Sequence, residues 1–167
     1  MTESTEMTES TEMTESTEMA EYTQHAGIVV TGKSWDEKRI AEADAVHAVA
    51  TATFTTSYAG DLVGESTCGL LISYVGGSPD QPETLVGPYT GYEQVTGTLA
   101  GRTGTFVLAA SGTHSEGVAR TGLRVVPGSG TGELAGLRGE GHYTADAMQY
   151  KMELRYDFDQ ESREAHA

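Results

Sequence analysis

Met148-Gln-Tyr-Lys-Met-Glu-Leu-Arg-Tyr-Asp-Phe158 is the stretch of sequence that decides the fold. Every second residue in it is apolar or aromatic, and the residues between them are polar or charged. Alternation with a period of two is typical of a β-strand with one face buried and the other in water. The stretch therefore predicts a strand over 147–158 whose buried face carries Tyr150, Leu154 and Tyr156.

The same pattern recurs in shorter runs between residues 24 and 158. Val, Thr and Tyr are frequent there, and glycine-containing turns separate the runs. Further strands are predicted at 26–35, 45–58, 62–75, 89–99, 103–113, 117–126 and 137–144, with a short helix or a loop over 37–47. Eight strands with little helix predict an all-β fold, a single eight-stranded antiparallel up-and-down barrel, because closure removes exposed strand edges. A sandwich of two sheets is the alternative.

Both ends of the chain differ from this body. Residues 2–7, 8–13 and 14–19 are three copies of Thr-Glu-Ser-Thr-Glu-Met, which has too little apolar surface to offset the entropy of ordering. We predict three parts: a disordered acidic repeat tail at 1–22, a barrel domain at 23–160, and a disordered C-terminal tail at 161–167.

Charge and cysteine content narrow the class of protein. The formal net charge is −15, and the seven glutamates before residue 22 leave −8 for the remainder. An acidic body without a basic cluster predicts no binding to nucleic acid or to anionic membranes. The single cysteine excludes an internal disulfide, and no signal peptide or membrane span is expected, so we predict a cytoplasmic protein. The sequence leaves a homo-oligomer open.

A glycine-rich segment covers 127–141, with glycines at 128, 130, 132, 136, 139 and 141. Phosphate-binding loops of the Rossmann or Walker type need a helix directly after the glycines, whereas here a strand is predicted to follow. We interpret the segment as a long bulged hairpin at a barrel corner.

Several segments together resemble a known family. They are Ser34-Trp-Asp-Glu37, Gly60-Asp-Leu-Val-Gly-Glu-Ser-Thr67, Gly91-Tyr-Glu-Gln-Val-Thr-Gly97, Gly101-Arg-Thr-Gly-Thr-Phe-Val-Leu108, the glycine-rich segment and Leu154-Arg-Tyr-Asp-Phe158. In order and spacing the chain resembles a bacterial domain family of unknown function, whose members resemble allene oxide cyclase-like (dirigent/lipocalin-like) β-barrels. The glycine-rich segment is similar to the corresponding turn of allene oxide cyclases and plant dirigent proteins.

This resemblance implies a barrel that acts on reactive, mostly apolar intermediates by cyclisation or isomerisation, without a metal or organic cofactor. The chain departs from the family at one place. Members often carry a histidine in the strand after Phe-Val-Leu, where this sequence has Ala109 and Ala110. Any role of that histidine is therefore lost or moved.

Candidate site residues follow from the strand faces. Glu93 is in phase with Gly91, Val95 and Leu99, so its carboxylate is expected inside the barrel, where desolvation favours general acid–base chemistry. The alternative is a structural role, in which an arginine or backbone N–H groups bind the Glu93 carboxylate and hold the barrel closed. With Tyr156 it forms the predicted catalytic set, and the predicted ligand-binding residues are Tyr74, Phe54, Phe106, Tyr150 and Leu154. No metal ligand set is predicted, because the five histidines are scattered and lack ligand spacing.

Three functions remain open from the sequence. The first is a cofactor-independent cyclase or isomerase, with Glu93 and interior tyrosines moving protons in an apolar cavity. The second is a non-catalytic carrier of a hydrophobic small molecule. The third is a structural protein with a filled barrel. Small residues on inward faces, such as Ala48, Ala50 and Ala52, favour a cavity, and therefore a hydrophobic small-molecule partner.

Overall fold

The computed structural model describes residues 22–159, so the two predicted tails, apart from Tyr22, lie outside the described residues. The described part is built from strands and one turn of 3-10 helix. In chain order they are β1 (Gln24–Glu42), β2 (Ala48–Gly60), β3 (Leu62–Tyr74), β4 (Gly76–Ser78), β5 (Gln81–Leu99), β6 (Arg102–Ser115), β7 (Val118–Val125), the 3-10 helix (Gly132–Leu134), β8 (Leu137–Ala145) and β9 (Gln149–Phe158).

The strands close into a ring. Neighbours in sequence pair antiparallel from β1 to β3 and from β5 to β9, β9 pairs with β1, and β3 pairs with β5. This confirms the predicted eight-stranded up-and-down barrel, with one addition. The short strand β4 pairs only with the beginning of β5, outside the ring.

The prediction of a helix or loop over 37–47 is wrong in its first half. The chain stays extended to Glu42, because residues 37–42 pair with the start of β2 in a hairpin. The turn lies at 43–47, where Asp44 Oδ1 accepts hydrogen bonds from the backbone N–H groups of Val46 and His47 at 2.9 and 2.7 Å. Backbone pairing across this hairpin satisfies the donors and acceptors that a helix would satisfy internally. β5 is also longer than predicted, since it begins at Gln81, eight residues before its predicted start at 89.

The glycine-rich segment 127–141 is not one bulged hairpin. It connects β7 to β8 through the 3-10 turn, and it lies against β6, where Thr131 N–H donates to the carbonyl of Thr105 at 2.8 Å. A Cβ on Gly104 would come within 2.0 Å of the Thr131 carbonyl oxygen, so the two backbones can approach only because residue 104 is glycine. The segment thereby carries Leu134, which is fully buried, into the core.

The buried side chains form two clusters, one at each end of the barrel. The packed end is filled by large side chains, among them Ile28, Leu62, Leu99, Phe106, Leu108, Leu134, Leu137, Met152 and Leu154. The open end contains Ala50, Ala52, Phe54, Cys68, Leu70, Ile72, Tyr74 and Tyr89. The buried alanines of the open end, Ala50 and Ala52, lie on β2 and do not line the cavity described below.

Candidate functional site: a cavity at the open end

The open end holds a cavity of about 510 Å³. Six aromatic rings line it, from Trp35, Phe54, Tyr74, Tyr89, Tyr143 and Tyr150, together with aliphatic side chains such as Leu70, Ile72 and Leu85. Its few polar residues include Lys33, Ser34, Glu37, Thr56 and His114. This volume and this predominantly apolar lining with a few placed polar groups are typical of small-molecule sites.

A separation of two strands opens the cavity. β1 pairs with β9 only as far as Thr31, opposite Gln149, and beyond a register shift at Gly32 it continues with β2 alone. At the fork, Gly32 N–H donates to the Met148 carbonyl at 2.7 Å. A Cβ on Gly32 would lie 3.3 Å from the Met148 methyl carbon, a tight contact with the end of a flexible side chain. The side chains beyond the fork then form the rim.

Carboxylate and ring contacts order the rim. The hydroxyl of Tyr74 donates to Glu37 Oε2 at 2.8 Å, and Trp35 Nε1–H donates to Glu37 Oε1 at 3.2 Å. The guanidinium of Arg39 lies 5.5 Å from the centre of the Tyr74 ring. Trp35 stacks on Phe54 with ring centres 5.1 Å apart, although more than half of the Trp35 side chain stays exposed. Both oxygens of Glu37 therefore have partners within the protein.

A buried polar cluster lies beneath the cavity floor. Glu93 is only 4 % exposed, and its Oε1 accepts hydrogen bonds from the hydroxyls of Tyr58 and of Ser66, the latter at 2.6 Å. Ser66 in turn lies 2.5 Å from the hydroxyl of Thr56, which lines the cavity. Glu93 is thus separated from the cavity by two hydroxyl groups.

Burial decides the protonation of this cluster. It raises the pKa of Glu93, against the smaller opposing effect of the hydroxyl donors Ser66 and Tyr58. Burial also raises the pKa of the Tyr58 hydroxyl, and the nearby Glu93 charge acts in the same direction. For Cys68, directly opposite Glu93 on β3, the same two causes raise the pKa of the thiol, so it stays protonated and a poor nucleophile.

Tyrosine hydroxyls form the polar part of the opposite wall. The Tyr89 hydroxyl lies 2.5 Å from that of the buried Thr121, and the rings of Tyr143 and Tyr150 are 4.7 Å apart. Burial raises the pKa of Tyr89, Tyr143 and Tyr150. These phenols therefore remain protonated at neutral pH and act as neutral hydrogen-bonding groups.

His114 stands near the end of β6 and lines the cavity. Its side chain is half-buried, and its Nδ1 lies 2.7 Å from the backbone carbonyl oxygen of Leu85. The sequence predicts that this strand ends at 113, and His114 was not among the predicted site residues. One signal was available, since residue 114 is in phase with the buried side chains of Phe106, Leu108 and Ala110.

The structure brings together only part of the predicted site. Phe54, Tyr74 and Tyr150 line the cavity. Phe106 and Leu154 belong to the packed end. Tyr156 also lies there, in the lining of a separate depression with Arg102 and Arg138, so it is not placed with Glu93 beneath the cavity. Within residues 22–159 there is no group of three or more His, Cys, Asp or Glu side chains arranged to hold a metal ion.

Comparison with known proteins gives the fold and a family. A solved structure of a protein with unknown function from Shewanella oneidensis, of the DUF3224 family, superposes with a TM-score of 0.60 at 24 % identity, covering 81 % of this chain and 99 % of that one. At this identity the likeness concerns the fold alone. No curated protein matches the chain. None of the helical structure in the described residues is long and apolar enough to cross a membrane.

Residues 29–158 match the sequence pattern of the same family, which is described as "Protein of unknown function (DUF3224)". The matched range begins within β1 and ends at the last residue of β9, and so it spans the whole ring of strands. The chain belongs to the DUF3224 family.

Proposed function

We propose that the barrel binds a mostly apolar small molecule, with aromatic character, in the cavity at its open end. The single observation that carries this proposal is the cavity of about 510 Å³ with six aromatic rings in its wall. Such rings offer large flat surfaces that stack on planar ligands. The resemblance of the sequence to barrels of the allene oxide cyclase type, which act on apolar intermediates, supports the same ligand class.

A binding experiment can use the chain's one tryptophan. Trp35 lines the cavity, so a neutral apolar fluorophore such as N-phenyl-1-naphthylamine should quench its emission and gain fluorescence itself. We expect saturable binding at one site. Ala119→Phe, which fills space in the cavity wall, should weaken binding at least about tenfold, a change of about 1.4 kcal/mol.

Ala109→Phe is the matched control. Ala109 lies on the neighbouring strand β6, but it faces an outer depression of the barrel and not the cavity. The fluorophore should bind this variant as it binds the wild type. Binding that does not saturate, or equal weakening by both substitutions, would contradict the proposal.

A cofactor-independent isomerase or cyclase is the second candidate, and the Glu93 cluster favours it. A carboxyl group with a raised pKa is suited to general acid–base catalysis, and the hydroxyls of Ser66 and Thr56 link it to the cavity. An enolisable aromatic ketone, 2-tetralone, would test for proton transfer in D₂O. The wild type should accelerate deuterium exchange at its α-carbon, and Glu93→Gln should lose that acceleration. Equal exchange rates would leave only the binding function.

A further inference from the structure

His114 carries a basic imidazole ring in the cavity wall. It takes no part in the hydrogen bonds of Glu37 at the rim or of Glu93 beneath the floor. Its Nδ1 is bonded to the Leu85 carbonyl oxygen, which can only accept a hydrogen bond. The hydrogen must therefore reside on Nδ1. In the neutral imidazole this leaves Nε2 without a hydrogen and with its lone pair free to accept one.

Within residues 22–159, Nε2 of His114 has no hydrogen-bond partner. The other polar groups of the site differ from it. Glu37 is engaged at both oxygens by Tyr74 and Trp35, and the buried tyrosines are protonated phenols. Nε2 is thus a nitrogen acceptor of fixed tautomer in a wall that is otherwise mostly apolar.

We propose that Nε2 of His114 accepts a hydrogen bond from a hydroxyl group of the ligand, and that the ligand is a planar phenol or enol. This inference rests on the proposed binding function and narrows its ligand class. A phenol or enol combines a flat apolar body, which suits the aromatic lining, with one acidic O–H. A carboxylate would bring no hydrogen to Nε2 of the neutral imidazole.

The experiment compares two probes of nearly the same shape. They are 2-naphthol, which has a phenolic O–H, and 2-methoxynaphthalene, which has none. At about pH 8 a phenol is still protonated and an ordinary histidine is neutral. The wild type should bind the naphthol about tenfold more tightly than the ether, since a buried acceptor strengthens binding when it is paired.

His114→Asn separates the acceptor from the structural contact. The asparagine amide nitrogen can take the place of Nδ1 and still donate to the Leu85 carbonyl, but the side chain has no counterpart of Nε2. In this variant the naphthol should bind no more tightly than the ether. Persistence of the tenfold preference would overturn the assignment to His114.

A measurement on the wild type avoids any dependence on how the variant folds. The ¹⁵N resonance of His114 Nε2 should shift when naphthol is added and stay in place with the ether. The same shift with both probes would overturn the inference. If N-phenyl-1-naphthylamine and both naphthalene probes all fail to bind, the proposed binding function fails, whereas equal affinity for the naphthol and the ether refutes only the role of His114.

Discussion

The two ends of the barrel are formed by the same eight strands and the same alternation, yet one is solid and the other hollow. At the packed end the inward side chains of Phe106, Leu108 and Leu154 are fully buried. At the open end the smaller side chains of Ala119 and Ala145 line the cavity. An eight-stranded ring is just wide enough either to be filled or to hold one ligand. Side-chain volume, and not strand periodicity, decides between the two.

The segments that connect the strands also differ between the packed end and the open end. At the packed end the segment between β7 and β8 brings Leu134 into the core and pairs its backbone with β6. At the open end β1 leaves β9 after Thr31 and bends away with β2. One end is therefore covered by a short turn of helix, and the other is left accessible between two strands.

A charge placed in the packed end should have the largest effect on stability. Leu154→Asp buries an unpaired carboxylate at a fully buried position, which costs several kcal/mol against a total stability of about 5–15 kcal/mol. We expect a chain that fails to fold, as judged by circular dichroism and the loss of a cooperative melt. Leu71→Asp introduces the same charge at a side chain that is half exposed, and it should fold normally. A cooperative, near-wild-type melt for Leu154→Asp would contradict the packed end as described.

Removing one aromatic side chain from each end should show how far the two ends differ in packing. Phe106→Ala creates a closed void among fully buried neighbours, and we expect a loss of about 3–5 kcal/mol in the free energy of unfolding. Phe54→Ala enlarges a cavity that already exists, so the loss should be nearer about 2 kcal/mol, from the lost burial alone. Urea titrations of the two variants would measure both values. Equal losses would mean that the open end is as tightly packed as the other.

Strand alternation made most of the fold predictable. The buried faces of β2 and β9 follow the period-two pattern, and the ring was predicted because closure removes exposed strand edges, with a sandwich as the alternative. The segment 37–42 was not predictable in this way, because its residues are mostly polar and it is held extended by pairing with β2. The turn inside 127–141 was also missed, since glycines permit several backbone paths and long-range contacts choose among them.

The site was less predictable than the fold, because strand phase gives a side chain's face but not its height along the barrel. Tyr156 and Tyr150 share a face of β9, yet one lies at the packed end and the other lines the cavity. Glu93 was correctly expected inside, but its partners are the hydroxyls of Tyr58 and Ser66, whose positions depend on the register of β2, β3 and β5. His114 was passed over because its strand continues beyond the predicted end at 113.

Glu93 lies at the boundary between the two ends, with the filled core on one side and the cavity floor on the other. Its hydrogen bonds come from two hydroxyls, without an arginine or lysine partner in the described part of the chain. An unpaired buried carboxyl group is stable chiefly in its neutral form, in agreement with the direction of its pKa. The change of the free energy of unfolding with pH should therefore show that the folded protein keeps Glu93 protonated.

The last effect is the difference in stability between the wild type and Glu93→Gln as the pH changes. Because the pKa of Glu93 is raised in the folded state, the folded chain holds this proton over a pH range in which the unfolded chain has released it. The stabilising contribution of Glu93 is then complete below the pKa of the unfolded glutamic acid, near about 4.3, and is lost as the pH rises through the folded value. Glutamine does not titrate, so the wild type should become less stable relative to Glu93→Gln as the pH rises, by about 1.4 kcal/mol for each unit of pKa elevation. Denaturant titrations from acidic to alkaline pH would measure this difference, with Glu65→Gln, the same substitution on the exposed outer face, as the matched control. A difference that stays constant, or one that moves in favour of the wild type, would mean that Glu93 is held as a stabilised anion and that the boundary between the two ends is more polar than its contacts indicate.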